Sequence, residues 1–105
     1  MQTAVKDKKE LIERILASQA RIQSYGVERL GIFGSFVRDE AKESSDVDFF
    51  VEFFPEKKNF DNFMDLSELL EEITGRRVEL ITPQSLSKYI GKYIVKEVEY
   101  VPLAA

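Results

Sequence analysis

The stretch GSFVRDEAKESSDVDFFV, residues 34–51, sets two aspartates, Asp46 and Asp48, on either side of one valine at the start of an apolar run. The run DVDFFVEFF, residues 46–54, is rich in aromatic and β-branched residues and reads as a central strand closed by Pro55. Side chains alternate along a strand, so Val47, Phe49, Val51 and Phe53 share a buried face, and Asp46, Asp48, Phe50 and Glu52 share the more open one. Aspartate is a poor strand former, and this pair points the same way. Two carboxylates about 4 Å apart repel by roughly 1 kcal/mol in water and about 4 kcal/mol at an effective dielectric of 20. Such crowding calls for a counter-charge, and a divalent cation with oxygen ligands supplies one.

Upstream, VERLGIFG, residues 27–34, reads as a strand running into a glycine, and Gly34-Ser35 then opens a short charged segment over 36–43 with one or two helical turns. Glycine lets a phosphate approach the backbone, and the following amides and the Ser35 hydroxyl can donate to it. Arg38, about one turn on, can neutralise phosphate charge. Downstream, RRVELIT, residues 76–82, reads as a third strand with Glu79 and Ile81 on one face. If it lies beside the Asp46–Asp48 strand, Glu79 joins the aspartates, giving three acidic ligands able to hold one or two Mg2+ ions. A phosphate cradle beside an acidic metal site is what phosphoryl or nucleotidyl transfer requires.

The rest of the chain frames these elements. Residues 6–25 place Leu11, Ile12, Ile15, Leu16 and Ile22 on one helical face, with Gly26 as the stop. FDNFMDLSELLEEITG, residues 60–75, places Phe60, Phe63, Met64, Leu66, Leu69, Leu70 and Ile73 at helical spacing and ends at Gly75. A last helix carries Leu86, Tyr89, Ile90, Tyr93, Ile94 and Val98, with a disturbance expected at Gly91. Lys88, Lys92 and Lys96 form a stripe on it that reads as a solvated face, the sharper reading being a contact to a triphosphate or a partner. The expectation is a single domain over residues 1–105. Its class is α+β, with a small three- to four-stranded mixed sheet and helices packed mainly on one face. Phe36 or Phe50 is the candidate apolar wall for a nucleobase.

Composition narrows the chemistry. The chain of 105 residues has no cysteine and no histidine, which excludes disulfides, thiolate metal sites and a histidine base. Any metal must then be held by oxygen, which favours magnesium, manganese or calcium. A net charge of −4 argues against general nucleic-acid binding but leaves room for a small anion at one local site. No apolar run is long enough to span a bilayer, the N-terminus lacks the apolar core of a signal peptide, and a cytoplasmic protein is expected.

The spaced pattern Gly34-Ser35, ten residues, Asp46-Val47-Asp48, followed by Glu79 in VELIT, resembles the signature of the polymerase-beta-type nucleotidyltransferases, and most closely their minimal nucleotidyltransferase (MNT) group. The resemblance covers most of the chain. It implies the nucleotidyltransferase fold, with Asp46, Asp48 and Glu79 as metal ligands and catalytic carboxylates and with Gly34, Ser35 and Arg38 as nucleotide contacts. It further implies Mg2+, ATP as donor, and transfer of AMP to a protein hydroxyl. In this group the acceptor is typically a tyrosine of a HEPN-domain toxin, for which the MNT protein is the antitoxin. Oligomeric state stays open, homo-oligomers included. Two positions depart from the family pattern: Asp39 stands where glycine usually follows the arginine, and Glu79 stands where the third carboxylate is usually aspartate. Aspartate tolerates left-handed backbone better than most residues, so the turn is expected to survive. The alternative reading is a weak or inactive relative that neutralises its partner by binding.

Overall fold

The computed structural model describes residues 3–85 and 88–104, with the side chains of 88–90 left out. The order is α1 (Lys8–Ala17), α2 (Gln19–Ser24), β1 (Val27–Phe33), β2 (Val47–Phe53), α3 (Phe60–Thr74), β3 (Val78–Ile81), α4 (Lys88–Glu97) and β4 (Glu99–Tyr100), with short 3₁₀ turns at Gly34–Phe36, Pro55–Lys57 and Pro83–Ser85. One mixed sheet has the strand order β3-β2-β1-β4. β1 runs antiparallel to β2 and β4, and β2 runs parallel to β3. The α+β class and the four-stranded mixed sheet match the sequence expectation.

The alternation in β2 decides the layering. Val47, Phe49, Val51 and Phe53 bury against Leu11, Ile15 and Ile22 of α1 and α2 and against Leu66, Leu69, Leu70 and Ile73 of α3. Each such side chain contributes about 1.5–3 kcal/mol on leaving water. On the other face, Phe33 and Phe50 pack with Ile94, beside Ile81 and Val98. Three helices therefore cover one face, and α4 covers part of the face that carries Asp48. No helix of the described residues is long and apolar enough to cross a membrane.

Local chemistry sets the element ends. The Asp7 side chain accepts from the Glu10 amide at 2.8 Å and starts α1, and the Asn59 side chain accepts from the Asn62 amide at 2.8 Å and starts α3. Gly26 (φ 85°) and Gly75 (φ 66°) close α2 and α3 in the left-handed region, as expected. The expected single helix over 6–25 divides instead at Ser18 (φ −113°, ψ 15°), whose carbonyl accepts from the amides of Arg21 and Ile22 and starts α2.

Four further expectations are corrected. Phe60 (74% exposed) and Met64 (39%) lie outside the core, because the rotation that buries Leu66, Leu70 and Ile73 carries both to the far side of α3. Tyr93 (77% exposed) faces outward, since its neighbour Ile94 takes the inward position. α4 runs through Gly91 without a break. Leu86, and the side chains of Lys88, Tyr89 and Ile90, lie outside the described residues. Over 36–43 the expected helical turns reduce to the 3₁₀ turn ending at Phe36 and the tight turn after it.

Candidate active site

β1 ends at Phe33 in extended backbone, and the chain turns sharply at Gly34 (φ 79°). The Gly34 carbonyl accepts from the amides of Val37 and Arg38 at 3.1 and 3.2 Å, and the Ser35 carbonyl accepts from the Glu40 amide at 2.9 Å. Asp39 adopts φ 59°, the one positive value at a non-glycine among the described residues. The turn that the family closes with glycine thus survives with aspartate.

This bend lies against β2. A Cβ added to Gly34 would stand 2.1 Å from Oδ2 of Asp48, so only glycine leaves that carboxylate in place. Phe33 is the register partner of Asp48 on one side, and Glu79 is its partner on the other, across the parallel β2–β3 pair. Neighbouring strands stand about 4.8 Å apart, and partners in register project to the same face. Glu79 therefore converges on Asp48. Burial pushes the Asp48 carboxyl up to about 6, reinforced by the charge of Glu79, by a hydrogen bond between the two carboxyls and by the charge of Asp46, while Arg38 opposes the shift. Asp46 stands one residue before β2 and, like Glu79, is exposed.

The position of Asp46 depends on a residue that the sequence reading passed over. Arg76 donates from Nη1 to the carbonyls of Lys42, Glu43 and Ser45 at 2.8, 3.1 and 2.9 Å, and from Nε to the carbonyl of Val5 at 2.8 Å. Its guanidinium carbon lies 5.1 Å from the centre of the Phe36 ring. It pins the segment that delivers Asp46 to the sheet. The available signal was an arginine pair between a helix-closing glycine and a strand, which sets a rigid fork of donors beside the incoming loop.

Arg38 is exposed, and its guanidinium is engaged. Nη1 donates to the Glu97 carboxylate of α4, and Nε lies 3.6 Å from Glu40. The hydrogen bond and charge of Glu97 raise the guanidinium pKa above its ordinary value, with smaller contributions from Glu40 and Asp48. Phe36 and Phe50, the candidate walls for a nucleobase, are 1% and 4% exposed and present no open face to one. Lys92 and Lys96 are exposed, which fits the solvated-face reading.

The structure thus brings together Gly34, Asp48 and Glu79, sets Asp46 close enough for its charge to act on Asp48, and holds Arg38 at the edge. Among the described residues no three carboxylates gather closely enough to form a ready-made metal cage. The donors still suit a hard cation in type, because all are carboxylate oxygens and their mutual repulsion already perturbs Asp48.

The model of the nucleotidyltransferase domain family matches residues 10–101. The protein adenylyltransferase MntA of Thermococcus cleftensis is 45% identical over 94 residues, covering 88% of this chain and 94% of that protein. A solved structure described as a minimal nucleotidyltransferase superposes with a TM-score of 0.78 at 28% identity, over 90% of this chain and 95% of that one. A chain from the complex of tri-AMPylated Shewanella oneidensis HEPN toxin with MNT antitoxin superposes with a TM-score of 0.62 at 16% identity, over 90% and 71%, and speaks for the fold alone. With the family model matching nearly end to end, and a minimal nucleotidyltransferase sharing the architecture at this level, the chain belongs to the nucleotidyltransferase domain family.

Proposed function

We propose that this protein transfers AMP from ATP to a hydroxyl on a protein partner, a tyrosine of a HEPN toxin, and acts in the cytoplasm as the antitoxin of that pair. The observation that carries the reading is the contact between the Gly34 bend and Asp48, with Glu79 in register beside it. A relative at 45% identity is a protein adenylyltransferase, and a HEPN–MNT complex contains the same fold.

In this reading the amides after Gly34 and the Ser35 hydroxyl hold the polyphosphate tail, and Arg38 contributes a charged contact to it. Asp46, Asp48 and Glu79 are the residues that would hold Mg2+. When bound, the ion would offset the triphosphate charge and ease proton loss from the acceptor hydroxyl. The carboxylates hold the acceptor oxygen in line with the α-phosphorus, and Glu79 takes its proton. The new bond joins that oxygen to the α-phosphorus, the α–β bridging bond breaks, and pyrophosphate leaves with its electron pair. Incubation with ATP labelled at the α-phosphate and a co-purified HEPN partner should label the partner, and Asp48→Ala should lower the rate by at least about 10²–10³-fold. An unlabelled partner with the wild-type protein would refute the reading.

The engagement of Arg38 by Glu97 and the open spacing of the carboxylates favour a second reading, an MNT-fold antitoxin that neutralises by contact. It requires that Asp46→Asn/Asp48→Asn still rescue cells from the toxin. Loss of rescue in a variant that still binds the partner would exclude it.

A further inference from the structure

Glu97, the last residue of α4, accepts a hydrogen bond from Arg38 across 59 positions of sequence. The side chains are 24% and 49% exposed, so Glu97 is the better-held partner. A second acidic neighbour of Arg38, Glu40, is 65% exposed and its contact of 3.6 Å is long. Glu97 does not ride on a loose helix. Ile94, one turn earlier on α4, and Val98, the next residue, pack with Phe33 and Phe50. Phe33 immediately precedes the Gly34 bend, and Phe50 projects from the same face of β2 as Asp48. One apolar cluster thus fixes the bend, the acidic strand and the carboxylate that faces Arg38.

We propose that Glu97 is a positioning residue that occupies Arg38 until a polyphosphate displaces it, and thereby sets the affinity of the protein for its nucleotide. The inference rests on the reading of Arg38 as a phosphate contact. A guanidinium offers five donors in a rigid fork, and carboxylate and phosphate oxygens compete for them with similar geometry. The nucleotide-free protein therefore holds its phosphate contact in a satisfied ion pair, and nucleotide binding includes the exchange of one anion for another. The energetic weight of the pair is that of a partly solvated surface bridge, so Glu97 tunes the affinity over a narrow range and does not block the site.

The test is a calorimetric double-mutant cycle on the full chain, with ATP and with inorganic tripolyphosphate as separate titrants at fixed magnesium. Tripolyphosphate isolates the tail from the base. Glu97→Gln should bind both about two- to fivefold more tightly. Arg38→Gln should bind both more weakly, and Glu97→Gln should add nothing in the Arg38→Gln background. A gain that persists without Arg38 would overturn the proposal, because Glu97 would then act directly on the phosphates through its charge. Unchanged or weaker binding by Glu97→Gln while Arg38→Gln weakens it would also overturn the proposal but leave the phosphate role of Arg38 standing. Unchanged binding by Arg38→Gln would remove that role and the proposal with it. A variant that merely loosened α4 would lose affinity, so the expected gain separates positioning from structural damage; Glu97→Ala should reproduce it.

Discussion

Gly34 and Asp48 lie so close that no side chain fits between them: a Cβ on the glycine would stand 2.1 Å from the aspartate Oδ2. The glycine also sits at φ 79°, where L-residues are strained. Gly34→Ala should therefore destabilise the fold by about 1–3 kcal/mol and displace Asp48. Thermal melts would show a Tm lower by several degrees, and AMP transfer should fall by more than the unfolded fraction explains. A variant with unchanged melting and activity would mean that the bend does not depend on glycine.

Asp48 should trade stability for chemistry. Its carboxyl is raised to about 6 by burial and by Glu79 and Asp46, so the metal-free folded state binds a proton more tightly than the unfolded chain does. The folded protein is therefore penalised above about pH 6, where Asp48 must ionise, and the penalty fades as pH falls through 6 towards the ordinary carboxylate range. Asp48→Asn should stabilise the metal-free protein at pH 8 by about 1–2 kcal/mol after allowance for solvent screening, and by less at pH 5. Denaturant titrations at the two pH values check this, and an advantage that grows at low pH would contradict it.

Arg76 should be the most sensitive arginine in the molecule. It donates to four backbone carbonyls of two segments, those of Val5, Lys42, Glu43 and Ser45. Arg76→Ala strips those acceptors of their charged donor and should cost about 2–4 kcal/mol, with loosening of the segment that leads into Asp46. Arg76→Lys should recover little, because an ammonium cannot reproduce the fork. Hydrogen exchange over residues 40–46 would show faster exchange in both variants.

Asp39 offers a milder test of the bend. At φ 59° it holds a conformation that aspartate tolerates and a β-branched residue does not. Asp39→Gly should change stability by less than about 1 kcal/mol, since relief of strain is offset by the freer unfolded chain. Asp39→Val should lower it by about 1–2 kcal/mol. Equal melting of the two variants would show that the turn does not constrain this position.

The layering and most of the candidate site were legible because they depend on short-range rules. Strand alternation alone assigned Phe49 and Asp48 to opposite faces, and the glycines at 26, 34 and 75 marked real left-handed turns. The placement of Glu79 needed one further step, that β2 and β3 be neighbours, and their parallel register supplies it. What the sequence hid depends on long-range packing. Phe60 and Tyr93 carry the apolar character of core residues, and only the rotation of each docked helix decides that they face water. The division at Ser18 and the two-residue β4 are too short to leave a periodic signal. Arg76 and Glu97 act on partners tens of residues away, across contacts that no local pattern announces.

If Asp46, Asp48 and Glu79 hold a divalent ion beside a bend that grips the polyphosphate tail, nucleotide binding depends on that ion. The decisive measurement is calorimetric titration of ATP in the presence of magnesium, repeated with the metal chelated, on the wild-type chain and on Asp46→Asn/Asp48→Asn. The binding signal should require magnesium in the wild type and vanish in the folded double variant. Equal binding by the double variant, or binding by the wild type that ignores magnesium, would show that these carboxylates hold no ion needed by the nucleotide.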